Sequence, residues 1–201
     1  MRLLIATRNK EKLKELRAIL ADLSLDMVSA ADMPRLPEVH EDGKTIRDNA
    51  IKKAVETAKM ANMLTLADDT GLEVDALNGE PGVRSARFAG DDVSYHENNK
   101  KLLGLLEGIA LEKRTARFRC VVAIADENGL IEAVEGICNG TIIEKERGGG
   151  GFGYDPLFIA DGQVKTFGEL SPDVKNRISH RAKALQKAWA ALSRYLREKG
   201  A

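Results

Sequence analysis

Five groups of residues combine charge, amide and aromatic chemistry at spacings that could grip a small anionic ligand. The first is Thr7-Arg8-Asn9-Lys10-Glu11-Lys12, placed between an apolar run and a helical pattern. Backbone N–H groups at a helix start lack intrahelical partners and face the positive end of the dipole, so an anion settles there readily. Asn9 adds amide donors and Lys12 adds a point charge one turn in. The glycines followed by Lys-Ser/Thr that make a P-loop are absent. An ordinary capped helix with a solvated lysine accounts for the same residues. The second group is Glu41-Asp42-Gly43, ahead of a helix bearing Asp48, Asn49 and Lys53. Asn49 and Lys53 lie four apart and share a helix face, pointing at phosphate or at solvent.

The third group, Ala67-Asp68-Asp69-Thr70-Gly71, closes a short apolar strand. Adjacent carboxylates at the carboxyl end of a strand suit magnesium, a hard cation that takes oxygen ligands. While the chain stays extended, Asp68 and Asp69 point to opposite faces and must differ in role, one facing a ligand and one bracing the turn. An Asx turn into Gly71 is the plainer alternative. The fourth group runs Gly148-Gly149-Gly150-Gly151-Phe152-Gly153-Tyr154-Asp155-Pro156. Its glycines permit close backbone approach and its rings offer a stacking face for a base, or the run is a flexible loop. The fifth, Lys175 followed by Ser179-His180-Arg181, lies at or near a helix start. Arg181 supplies a rigid fork of donors suited to purine carbonyl oxygens or phosphate. No partner set for a Ser-His-Asp triad accompanies Ser179, so it is not read as a nucleophile.

The elements that must carry these groups follow from periodicity. Leu3 to Ala6 reads as a buried strand, and Leu13, Leu16, Ile19, Leu20 and Leu23 give an amphipathic helix from about Lys10 to Asp22. Met33 to Pro37 reads as loop, Thr45 to Ala61 as a second helix, and Leu64 to Ala67 as a strand. Ser94-Tyr95-His96-Glu97 fits a capping box before a helix with Leu102, Leu103, Leu105 and Leu106. Ala116 to Ala125 and Ile131 to Ile137 form a hairpin about Glu127-Asn128-Gly129, and Leu157 to Ile159 a further strand. Ser171-Pro172 starts a helix, and the last helix carries Leu185, Ala188, Trp189, Leu192 and Leu196, ending near Gly200. No repeat, low-complexity tail or linker interrupts the chain, which reads as one continuous mixed α/β domain over residues 1–201.

Composition narrows the partners. The chain has 201 residues, 43% hydrophobic and 31% charged, with 31 basic and 31 acidic side chains balancing to zero. Long nucleic acid is usually gripped by a basic excess, so polymeric nucleic acid is not expected, and any phosphate ligand should be small and locally held. Cys120 and Cys138 sit in apolar stretches and read as reduced thiols packed in strands. Three scattered histidines, His40, His96 and His180, do not make a zinc site. No apolar run is long enough for a signal peptide or membrane span, so a cytoplasmic location is expected.

Taken in order from Thr7 to Arg181, and ending in Phe-Gly-Tyr-Asp-Pro and Ser-His-Arg, the five groups resemble the non-canonical purine NTP pyrophosphatase family, also called XTP/dITP diphosphatase or inosine triphosphate pyrophosphatase. The resemblance implies a two-lobed α/β fold with a long twisted mixed sheet flanked by helices and an active-site cleft between the lobes. It further implies a homodimer, bound Mg²⁺, and hydrolysis of ITP, dITP and XTP to the monophosphate and pyrophosphate, which cleanses the nucleotide pool. On matching positions, Thr7, Arg8, Asn9, Lys10, Glu11, Lys12 and Lys53 hold the triphosphate. Asp69 is the principal acid, holding metal or deprotonating the attacking water, and Thr70 touches substrate. Phe152, Gly153, Tyr154 and Asp155 line the base and sugar pocket, while Lys175, His180 and Arg181 complete recognition of a 6-oxo group over the 6-amino group of adenine.

Two departures bear on the metal. The chain has Asp48-Asn49-Ala50 where family members often read Glu-Asn-Ala. The family also places an acidic ligand just before the glycine matching Gly43; Glu41 is chosen for that role, with Glu38 and Asp68 as the other acids and His40 at one candidate position. Maf-like nucleotide pyrophosphatases with another base preference form the nearest alternative, against which the Ser-His-Arg ending and the Phe-Gly-Tyr-Asp run both stand. A nucleotide-sensing module without catalysis is the alternative from a different class, and intact Asp69 and Lys12 stand against it.

Overall fold

The computed structural model describes residues 2–21 and 25–199. The chain forms two compact units. One comprises residues 1–69, 120–136 and 181–201, and the other residues 70–119 and 137–180. Both are α/β, and the strands belong to one hydrogen-bonded order, β2-β1-β3-β5-β6-β7, with β4 paired to β3. The strands are β1 (Arg2–Ile5), β2 (Asp26–Ser29), β3 (Thr65–Val74), β4 (Pro81–Gly82), β5 (Thr115–Asp126), β6 (Gly129–Ile142) and β7 (Phe158–Ala160). The helices are α1 (Lys10–Ile19), α2 (Ile46–Ala61), α3 (Tyr95–Leu105), α4 (Pro172–Ile178) and α5 (His180–Glu198). Parallel pairing of β1 with β2 and β3, and antiparallel pairing of β3 with β4 and β6 with β7, make the sheet mixed.

In the first unit, β1 is buried on both faces, as parallel strands under helices are. Leu3 and Ile5 pack with Leu16, Leu20, Leu64, Leu66, Val122, Ile124 and the α5 residues Leu185, Ala188 and Leu192. Leu4, on the opposite face, packs with Ala30 and Leu36, so the proline-containing loop at 33–37 carries a core residue. Each such aliphatic side chain contributes roughly 1.5–3 kcal/mol by leaving water. Helix α2 turns Ala50, Ala54 and Ala58 inward at four-residue spacing, all fully buried. Its ends are local: Thr45 accepts the Asp48 N–H, and Asn62 closes it in the left-handed conformation.

The second unit has an aromatic-rich core. Phe118 meets Phe158 edge-on at 4.8 Å, and Phe167 joins both. Leu72, Val74, Phe88, Leu102, Ile142 and Leu157 surround them. The capping box at Ser94 and Glu97 forms, and Ser171 caps α4 with Pro172 at its first position.

Four elements differ from the sequence reading. Strand β3 does not end at Ala67; it continues for ten residues through Asp68, Asp69 and Gly71. The acid pair therefore sits mid-strand, because tertiary charge partners neutralise what local preference disfavours. Strand β2 forms from Asp-Met-Val-Ser, too short a run to announce itself, by pairing with β1. Strand β6 reaches from Gly129 to Ile142, well past Ile137. Helix α1 is described to Ile19 and followed by Leu20 as its cap; Asp22, Leu23 and Gly200, named in the expected helix ends, lie outside the described residues. Cys120 and Cys138 are both buried and not disulfide-bonded. Among the described residues, no helix is long and apolar enough to cross a membrane.

Candidate active site

In the first unit, the end of β1 delivers Thr7 to Lys12 onto the start of α1. Asn9 caps the helix, its Oδ1 accepting the N–H groups of Glu11 at 2.9 Å and Lys12 at 3.1 Å. With that oxygen committed, any ligand contact of Asn9 must come from its amide nitrogen. Thr7 Oγ1 accepts the Asn9 N–H, and Arg8 donates to the Leu36 carbonyl at 2.6 Å, tying the 33–37 loop to this segment. Lys10 and Glu11 are exposed.

Lys12 points back to β3, where its ammonium lies 3.2 Å from Asp68. The Arg181 guanidinium, buried at the start of α5, contacts the same carboxylate at 3.1 Å and also pairs with Glu15. Burial alone would push the Asp68 carboxyl up, but Lys12, Arg181 and Lys53 outweigh it and hold it far below the usual carboxylate range. Lys12 is likewise favoured as a cation: burial opposes its charge, and Asp68 and Asp69 more than restore it. Arg181 is held charged by Asp68 and Glu15 against the same burial. Asp69 is also buried, and strand alternation turns it to the face opposite Asp68. Neither acid braces a turn, as the sequence suggested for one of them: β3 runs on through both, and Asp68 joins an internal ion cluster instead.

The segment 41–43 is fastened to α2 by three successive contacts. Lys53 bonds Glu41 at 2.6 Å, Lys52 bonds Asp42 at 2.6 Å, and Asn49 Oδ1 accepts the Gly43 N–H at 2.7 Å. A Cβ at Gly43 would lie 2.6 Å from Asn49 Oδ1, so this contact demands glycine. Among the described residues, no three His, Cys, Asp or Glu side chains gather as a metal cluster.

The second unit holds Thr70, half-buried on β3, and an aromatic cluster. Gly153 adopts a left-handed φ of 61°, between Phe152 and Tyr154. Asp155 accepts the Phe152 N–H at 2.8 Å and the ammonium of buried Lys175. That ammonium lies 5.0 Å from the Phe152 ring centroid and 5.6 Å from that of Phe167, both cation–π distances. His180 stacks on Phe118 at 4.6 Å, with Phe167 beyond at 6.5 Å. Tyr154 is buried and donates its hydroxyl to the Ser85 carbonyl at 2.9 Å, and burial raises its pKa well above normal. Its ring is a pillar of the loop.

The expected site residues therefore fall into two sets. Thr7 to Lys12, Glu41, Lys53, Asp69 and Arg181 belong to the first unit, and Thr70, Phe152 to Asp155, Lys175 and His180 to the second. Arg181 groups with the carboxylates of the first set, while its neighbour His180 groups with the aromatics. Glu15 escaped the sequence reading, although it lies three residues after Lys12 on one helix face, a spacing that signals proximity. Phe118 and Phe167 carried no comparable signal.

Fold and residues together define an α/β protein with a helix-start cluster of cations and carboxylates and a separate aromatic cluster. The chain belongs to the Ham1 family, whose model matches residues 3–191. It is 54% identical to a dITP/XTP pyrophosphatase of Desulforamulus reducens over 96% of each chain. It is 47% identical to the Bacillus subtilis dITP/XTP pyrophosphatase, covering 92% of this chain and 93% of that one. Among solved structures, a HAM1 protein from Coxiella burnetii superposes with a TM-score of 0.87 at 37% identity, covering 96% of this chain and 99% of the other.

Proposed function

We propose that this protein is a nucleoside triphosphate pyrophosphatase that hydrolyses ITP, dITP and XTP to the monophosphate and pyrophosphate. Water supplies the oxygen to one phosphorus of the α–β anhydride as that P–O bond breaks. The observation that carries the reading is the meeting of Lys12, at the capped start of α1, with the β3 carboxylate of Asp68, next to Asp69 in the strand. A helix start and a part-buried, firmly charged lysine neutralise phosphate, and Asp69, near enough to favour the charge on Lys12, supplies the acid. The relatives' printed activities supply the substrate class.

Lys53 adds a second cation to the polyphosphate, and Thr7, Arg8, Asn9, Lys10 and Glu11 frame it. Phe152 gives a stacking face for the purine, with Lys175 against its ring and His180, stacked on Phe118, for the 6-oxo edge. Arg181 contributes by holding Asp68, and Tyr154 and Asp155 by holding the loop, with Thr70 beside β3.

Magnesium takes few protein carboxylates and completes its shell with water and phosphate oxygens. A donor set of Asp69 with Glu41 fits that habit better than a three-ligand cage would. These two residues would hold it, and the ion would supply charge neutralisation and an activated water. A cytoplasmic homodimer is part of the proposal.

The test is a substrate panel of ITP, dITP, XTP, ATP and GTP, scored for pyrophosphate against orthophosphate. Pyrophosphate from the 6-oxo deaminated purines is expected. Nucleotide binding without pyrophosphate release would make the protein a sensing module, and a different preferred base would align it with Maf-like enzymes.

A further inference from the structure

Helix α3 carries two adjacent buried asparagines, Asn98 and Asn99, 2% and 3% exposed. Asparagine is a weak helix former, and a buried amide requires partners, so both positions call for a hydrogen-bonding account. Asn98 holds α3 to the preceding segment, accepting the Ala89 N–H at 2.7 Å and donating to the Ala86 carbonyl at 3.1 Å. Asn99 reaches the other way. Its Nδ2 donates to Glu146 Oε1 at 2.7 Å and to the Gly153 carbonyl at 3.2 Å. Both partners are acceptors, which fixes the orientation of the amide.

Gly153 follows Phe152, whose ring has the Lys175 ammonium at 5.0 Å from its centroid. One helical turn before Asn99, the half-exposed ring of Tyr95 lies 6.0 Å from that of Phe152, tilted by 43°. From the other side, Asp155 accepts the Phe152 N–H. The Phe152–Gly153 unit is thus clamped between Asp155 and one face of α3, with a left-handed glycine as the pivot.

We propose that Asn99 is a positioning residue for purine selectivity: by holding the Gly153 carbonyl against α3, it fixes the tilt of the Phe152 ring that the purine meets. This rests on the base-recognition reading given above. Asn99 and its partners Glu146 and Gly153 belong to the second unit and the hydrolytic set to the first, so its loss is expected to change substrate discrimination and leave the chemical step alone. Asn99→Ala removes both hydrogen bonds. Asn99→Asp keeps the volume and sets a carboxylate against two acceptors.

The experiment measures kcat and KM for ITP and ATP, together with thermal melting, in the wild type, both Asn99 variants and Tyr95→Ala. A roughly tenfold rise in the KM for ITP and a roughly tenfold fall in the ITP:ATP ratio of kcat/KM are expected, with kcat for ITP within about twofold. Tenfold corresponds to about 1.4 kcal/mol. Should Asn99→Ala fail to fold, Asn99→Asp and Tyr95→Ala are read in the same way. Unchanged KM and ratio, or a lowered melting point with a fall in kcat alone, overturn the proposal and leave Asn99 a packing residue. Wild-type protein that releases no pyrophosphate from ITP would instead overturn the functional reading itself.

Discussion

Asp68→Asn is the substitution that the ion cluster makes most consequential for stability. It removes the carboxylate lying between Lys12 at 3.2 Å and Arg181 at 3.1 Å, and leaves the buried Arg181 with Glu15 and the part-buried Lys12 with Asp69 as the remaining counter-charges. At an effective dielectric of ~20, each contact of this length is worth roughly 5 kcal/mol in Coulomb energy before desolvation is subtracted. Breaking a buried pair by removing one partner typically costs about 3–5 kcal/mol, because the remaining charge stays buried. For a chain of this size each kcal/mol moves the melting point by ~2–4 °C, so a fall of roughly 6–20 °C is expected by calorimetry at neutral pH. Acid provides a second axis. The folded-state pKa of Asp68 is depressed, so its contribution is fully present above the unfolded carboxylate value of about 3.9 and is lost as pH falls from there towards the folded pKa. Wild-type stability should therefore drop with acidification below about pH 4 more steeply than that of Asp68→Asn. A variant melting within about 2 °C of wild type, with an identical acid limb, would refute the cluster's stabilising role.

Asp69→Asn should lower kcat for ITP by about 10²–10⁴-fold while leaving the melting point nearly unchanged, which steady-state kinetics and calorimetry together check. Excess EDTA should abolish pyrophosphate release and added Mg²⁺ restore it; full activity in EDTA would remove the metal from the scheme. Tyr154→Phe should cost about 1 kcal/mol of stability through loss of the bond to Ser85, with KM for ITP unchanged, because the hydroxyl faces inward. Phe158→Ala should cost about 3–5 kcal/mol, read by denaturant unfolding, since this fully buried ring packs on Phe118 and Phe167.

What the sequence made legible was local. The Ser94–Glu97 box and the Ser171-Pro172 start are each decided within a few residues, and each forms as read; the cap that Asn9 makes on α1 is equally local, though Asn9 was read for its amide donors. Strand β3 was read short because two aspartates look like a turn. The charges that let them stay in the sheet come from Lys12 and from Arg181, the latter 113 residues downstream of Asp68. The same distance concealed the setting of Arg181. Its fork was read for carbonyl or phosphate oxygens, whereas the structure sets it on Asp68 and Glu15, the latter pairing spanning 166 residues with no local pattern to announce it. Asn99 was hidden differently, as one polar residue in a helix whose apolar spacing dominated the reading.

The interleaved course of the chain constrains its birth on the ribosome. The first unit needs Leu185, Ala188 and Leu192 of α5 to cover Leu3, Leu16 and Leu20. At translation rates of ~5–20 residues per second, those N-terminal leucines wait roughly 8–38 s before their cover is synthesised. During that interval the nascent polypeptide displays greasy surface that chaperones recognise. Pulse-labelled, stalled chains ending before α5 should accordingly remain protease-sensitive at their N-terminal third.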